Sequence, residues 1–214
     1  MSARRIEPST VERAWGSELW HPAGDILIKY ITTRERLSVQ VHPDDDYARR
    51  HENSPGKTEM WYIASATEGA TIAAGFQRTC KREEVREAAL SGAIVDMLRW
   101  WPVRAGDVFL APAGTVHAIG GGIEIWEVQQ NSDVTYRLYD YGRGRELHLE
   151  KALDVAHLDR HPGPGRLPLG CRYFAVDLLD HPAPGELIDL NTGEVWSVPD
   201  GSGVASTRLL WISS

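Results

Sequence analysis

Gly106-Asp-Val-Phe-Leu-Ala-Pro112-Ala-Gly114-Thr-Val-His117 is the stretch that decides how this 214-residue chain folds. An apolar run ends at a Pro-x-Gly turn that fixes the chain direction. The histidine that follows then opens the next strand aimed into the mouth of a β-sandwich; the alternative is a histidine that only caps a turn. Upstream, Ser38-Val39-Gln40-Val41-His42-Pro43 alternates, so Ser38, Gln40 and His42 share one strand face and Val39 and Val41 the other. Taken alone, Q-x-H is explained as well by polarity on a half-exposed sheet. In Gly56-Lys57-Thr58-Glu59-Met60-Trp61-Tyr62 a carboxylate opens an apolar strand. Charges rarely enter a core unpaired, so Glu59 facing inward with Trp61 and Ile63 calls for a cation. Gln40, His42, Glu59 and His117 together offer two imidazoles, a carboxylate and an amide oxygen, a borderline set that suits zinc with one position open.

Outward from these motifs, most of the chain reads as short strands between Gly, Pro and Asp punctuation, the pattern of an antiparallel sandwich or barrel. Strands are expected over Ile26–Thr32, Leu37–His42, Glu59–Ala64, Ala70–Phe76, Asp107–Leu110, Ile123–Gln129 and Val134–Tyr139. Helices are expected after Pro43, where three aspartates suit the positive end of a helix dipole, and over Lys81–Leu90 and Leu149–His157. They do not alternate regularly with the strands, which argues for an all-β fold with helical insertions over a βαβ repeat. His161–Gly170, HPGPGRLPLG, reads as a linker between a domain over 1–160 and a β segment over 171–214. Four more strands are expected there, over Tyr173–Leu179, Glu186–Leu190, Glu194–Val198 and Arg208–Ile212, too few to stand alone, so the tail must lean on the first domain or a partner chain.

Lys and Arg number 23 against 30 Asp and Glu, a formal charge of −7, which disfavours the basic surface that nucleic-acid binding requires. Cys80 and Cys171 have no CxxC spacing and fit a reducing cytosol better than a disulfide framework or a thiolate metal site. The N-terminal residues lack the apolar core of a signal peptide, and no stretch approaches the roughly 18 apolar residues of a transmembrane helix. A soluble cytoplasmic protein is expected.

SVQVHPDDDYA, GKTEMWYI, GDVFLAPAGTVHAI, IEIWEVQQNSDVTYRLYDYGR and ELHLEKALDV, in that order, resemble the class I mannose-6-phosphate isomerases, metal-dependent enzymes of the cupin superfamily. Val11–Ser17 is similar to that family's first strand, so the resemblance runs from about residue 11 to 158. It implies an antiparallel jelly-roll barrel holding one Zn²⁺ on Gln40, His42, Glu59 and His117. Q-x-H in place of the commoner cupin H-x-H is this family's own pattern. Its members usually continue into a second cupin-like domain, of which 171–214 resembles the opening strands. Sheet edges exposed there would favour dimerisation or lower the stability.

Glu127 and Arg137 are expected directly opposite one another on a hairpin across Asn131-Ser132-Asp133, either as a cross-strand salt bridge or as part of a site. The resemblance favours the site, and it also implies Lys57 as an active-site group and Arg143, with Ser38, at a substrate phosphate. The implied reaction interconverts mannose 6-phosphate and fructose 6-phosphate through a cis-enediol. Glu127 and Lys57 would transfer protons and Arg137 would stabilise developing charge. A non-catalytic sugar-binding cupin, or a metal cupin acting on another phosphosugar or as an oxygenase, are the competing readings.

Overall fold

A computed structural model describes residues 2–214. Its strands form three antiparallel sheets. The first runs in the order Ser9–Arg13, Gly16–Ala23, Ile26–Thr33, Ile123–Gln130, Glu59–Ala66, Val108–Ala111. The second runs Tyr136–Tyr139, Val39–Val41, His117–Ile119, Thr71–Phe76, Leu98–Pro102. These two face each other as the barrel. The interior holds the apolar residues Ile31, Trp61, Ile63, Ile72, Phe109 and Ile125 toward one end and the polar side chains discussed below toward the other. All seven expected barrel strands are present with small boundary shifts, as are the helices Asp45–Glu52, Arg82–Ser91 and Leu149–Val155. The strands Gly16–Ala23 and Leu98–Pro102 and the short helix Ile94–Met97 were not expected from the sequence.

The hairpin expected around Asn131–Asp133 does not form. Glu127 pairs with Lys29 on one side and Trp61 on the other, while Arg137 pairs with Gln40 in the second sheet. The segment between them is pinned to the loop before Glu59 and cannot close a tight turn. Gln130 Oε1 accepts from the Thr58 amide at 2.9 Å, Ser132 Oγ donates to the Pro55 carbonyl at 2.9 Å, and the Gln129 amide donates to the Ser132 carbonyl at 2.6 Å. The chain therefore switches sheets at this point.

The third sheet is the C-terminal lobe, in the order Arg4–Arg5, Val195–Val198, Gly185–Asp189, Leu209–Ser213, Ala175–Leu179, Leu169–Gly170. It leans on the barrel as expected. Ile28, Met60 and Val128 on the outer face of the first sheet pack with Val176, Ile188 and Ile212 of the lobe. Both edges of the lobe sheet are two-residue strands, which leaves little backbone to template pairing with another chain. The N-terminal strand reaches into this lobe, with Arg4 opposite Ser197.

Candidate metal centre and active-site cavity

Two rows of side chains build the site. In the second sheet Arg137, Gln40 and His117 lie opposite one another on three adjacent strands, and paired residues point to the same face. In the first sheet Lys29, Glu127 and Trp61 form the facing row, with Gln129 and Glu59 two residues along. His42 follows the strand Val39–Val41 and is tied to the Pro-x-Gly turn, where the Gly114 amide donates to the His42 carbonyl at 2.8 Å. Gly114 sits at φ +89°, and a Cβ there would come within 2.7 Å of the His157 ring. The helix Asp45–Glu52 returns the chain so that the Lys57 amide reaches the Pro43 carbonyl at 2.9 Å. The return is close enough that a Cβ on Gly56 would meet the Asp45 nitrogen at 2.5 Å. That closure sets Lys57 and Glu59 beside His42.

His42, Glu59 and His117 are buried, and their ligand atoms lie within 4.8 Å of one another. His42 Nδ1 bonds the Val134 carbonyl at 2.8 Å and His117 Nδ1 the Thr115 carbonyl at 2.9 Å. Each Nδ1 therefore carries the ring proton as donor, and each Nε2 presents a lone pair to the Glu59 carboxylate, at 3.5 Å and 3.1 Å. Burial and the Lys57 charge push His42 down to about 3, so its ring stays neutral. His42 Nε2 and both Glu59 oxygens lack a hydrogen bond of proper geometry. Lone pairs facing lone pairs in a buried site are stable only around a cation, so the residues fit a metal. Gln40 Nε2 stands 3.2 Å from His117 Nε2, and its Oε1 accepts from Ser38 Oγ at 3.1 Å. Amide O and N exchange by a flip, with the Ser38 hydroxyl then accepting instead, so the same side chain can present its oxygen to a metal. Burial works to raise the Glu59 pKa, but the Lys57 ammonium, 3.0 Å away, holds it well below the usual carboxylate range.

The cluster borders a cavity of about 310 Å³ lined with charge. Glu127 is buried at its wall, with Lys29 Nζ at 3.4 Å, Lys57 Nζ at 4.0 Å and the Trp61 indole N–H donating at 3.1 Å. Burial and the Glu59 charge push Glu127 up, against the pull of Lys57 and Lys29. Arg137 lines the cavity with no carboxylate partner among the described residues, its Nε donating to the Glu146 carbonyl at 2.9 Å. Thus Gln40, Lys57, Glu127 and Arg137 meet at the cavity, with His42, Glu59 and His117 beside them.

Ser38 and Arg143 do not line it. Ser38 stands behind Gln40. Arg143 bonds Asp140 Oδ1 at 3.4 Å and the Arg36 carbonyl, while Arg145 holds both Asp140 oxygens, at 2.6 and 2.7 Å, and does reach the cavity. Arg13, Glu18, Lys29, Arg145 and His148 also reach it and were not singled out in the sequence. Lys29 carries a readable signal, a lone charge inside the apolar run ILIKYI. Arg145 and His148 sit in an irregular loop with none.

A buried two-histidine, one-carboxylate centre between facing antiparallel sheets defines a cupin-type barrel, and the solved structures of this architecture that the chain resembles are phosphomannose isomerases. No family model matches the chain. The chain is similar to curated proteins that carry the name mannose-6-phosphate isomerase, at 35–49% identity over the matched residues. The mannose-6-phosphate isomerase of Streptococcus mutans is 49% identical over 136 residues, 61% of this chain and 43% of that protein. The chain spans about half the length of the curated relatives it matches, between 43% and 62%. The crystal structure of the Bacillus subtilis mannose 6-phosphate isomerase shares the fold at a TM-score of 0.80 and 24% identity, covering 100% of both chains. A mannose 6-phosphate isomerase structure with bound zinc and yttrium aligns over 100% of both chains at a TM-score of 0.71 and 14% identity.

Proposed function

We propose that this chain is a zinc-dependent aldose–ketose isomerase that interconverts mannose 6-phosphate and fructose 6-phosphate. The observation that carries the reading is the set of orphaned lone pairs on His42 and Glu59, clustered with His117 beside a cation-rich cavity of about 310 Å³. Two imidazoles, a carboxylate and the Gln40 amide oxygen suit zinc, which supplies Lewis-acid polarisation of the C1 and C2 oxygens when bound. The zinc-bound structure of the same fold supports that choice.

The chain's own groups divide the remaining work. Glu127 moves the proton between C1 and C2 through a cis-enediol. Its raised pKa brings it closer to the working pH, where a general base is most effective. Lys57 and Arg137 stabilise negative charge developing on the enediolate oxygens, Lys57 doubling as a proton donor to them. Arg145 takes the phosphate, with Arg143 acting behind it through their shared Asp140, while Ser38 orients Gln40. The test is conversion of mannose 6-phosphate to fructose 6-phosphate by the purified chain before chelation, after it, and after zinc is restored. Activity that disappears and returns is expected. A folded, zinc-loaded chain that leaves mannose 6-phosphate unchanged overturns the reading.

A further inference from the structure

The outer face of the first sheet is not uniformly sealed by the C-terminal lobe. One row across its three central strands, Ile28, Val128 and Met60, is aliphatic and buried beneath the lobe. The next row on the same face is aromatic: Tyr30 pairs with Trp126 and Trp126 with Tyr62, the first two rings 4.6 Å apart between centroids. Above that row the lobe stands off and leaves a cleft of about 440 Å³, within the usual range of small-molecule sites.

The rim of this cleft is polar. Glu124, two residues along the central strand, gives one carboxylate oxygen to Ser65 at 2.7 Å. Asn191 and Arg208 reach over from the lobe, and the Arg208 guanidinium has no partner among the described residues. Gly193 brings the lobe's turn to 4.0 Å of Trp126 when a Cβ is placed on it. Trp126 and Tyr62 are 3% and 4% exposed, yet neither the indole N–H nor the phenol hydroxyl has a hydrogen-bond partner among the described residues, and neither is sealed from solvent. Facing the cleft, both donors are free to bond water or a ligand that displaces it. A face built only to hold the lobe would continue the aliphatic row.

We propose that this cleft is a second, non-catalytic carbohydrate site that takes a hexopyranose ring, free or at the end of a saccharide. Apolar C–H groups of the ring would rest against Tyr30 at the aromatic row. Its hydroxyls would accept from Trp126 Nε1, the Tyr62 hydroxyl and Arg208 and donate to Glu124. The site lies on the opposite side of the sheet from the metal cluster, because Tyr30 and Trp126 alternate with Lys29 and Glu127 along their strands. It therefore stands independently of the isomerase reading.

The probes are methyl α-D-manno-, gluco- and galactopyranoside. Their locked anomeric carbon cannot open and they carry no phosphate, so they are poor ligands for the catalytic cavity. Saturation-transfer NMR and calorimetry on the full chain should show weak binding of at least one. Tyr30→Ala and Arg208→Ala should each weaken it by roughly 3- to 30-fold, as loss of one ring contact or one charged hydrogen bond predicts. Arg208→Ala should keep the parent's melting transition, Tyr30→Ala should melt lower but cooperatively because it removes a ring packed on Trp126, and His117→Ala should still bind. The proposal fails if none of the three glycosides binds, if both cleft variants bind as the parent does, or if binding is lost in His117→Ala.

Discussion

The strand Ile123–Gln130 has two buried faces with opposite chemistry. Inward it presents Glu127 and Gln129 among lysines and the candidate metal ligands, and outward Trp126 and Val128 against the lobe. Burial alone therefore says nothing about what a position does here. The outer residues lower the free energy of folding by removing apolar surface from water. The inner charges cost desolvation, which the proposed chemistry would account for. Substitutions on the two faces should separate accordingly.

The largest effect is expected inside. His117→Ala leaves Glu59 and His42 without their partner, and isomerase activity should fall by about a thousandfold or more, the several kcal/mol a Lewis acid supplies. Metal content of the purified variant, measured by atomic emission, should fall with it; retention of both would remove His117 from the centre. Glu127→Gln should lower kcat by roughly 10²- to 10⁴-fold, the usual contribution of a general base, and should lower the urea midpoint while leaving the chain folded, because the buried Lys29 ammonium 3.4 Å away loses its carboxylate. The pH profile checks the same role. Glu127 must be ionised to act, and its pKa is raised by burial and by Glu59, so kcat/KM should fall as pH drops through a value above the ordinary 4.5. A limb at or below 4.5 would assign proton transfer elsewhere.

Outside, the sign of the comparison reverses. Ile28→Ala opens a hole beneath the lobe and should cost about 2–5 kcal/mol in urea unfolding while kcat in the cold stays near the parent value. A matching loss of kcat would mean that the two faces are coupled. The smallest contrast is at the phosphate end. Arg145→Ala removes a cavity-lining guanidinium and should raise KM by about tenfold or more, whereas Arg143→Ala, one layer back, should raise it less than about threefold. Equal effects would show that Arg143 reaches the phosphate directly.

The position of Lys29 shows where sequence reading stops short. Its charge stands out in ILIKYI, but its partner Glu127 is 98 positions later and meets it only because their strands pair. Arg145 and His148 had no such local mark.

The four ligand-type residues were readable in the sequence because local rules place them: strand alternation sets Gln40 and His42 on one face, the apolar strand turns Glu59 inward, and Pro-x-Gly aims His117. Those constraints act over a few residues. Tertiary structure alone decided which strands are neighbours, that the chain changes sheets between Gln130 and Tyr136, and that Arg145 rather than Arg143 faces the cavity. Pairing is a competition among distant strands, settled by contacts such as Gln130 with Thr58 that no local pattern encodes.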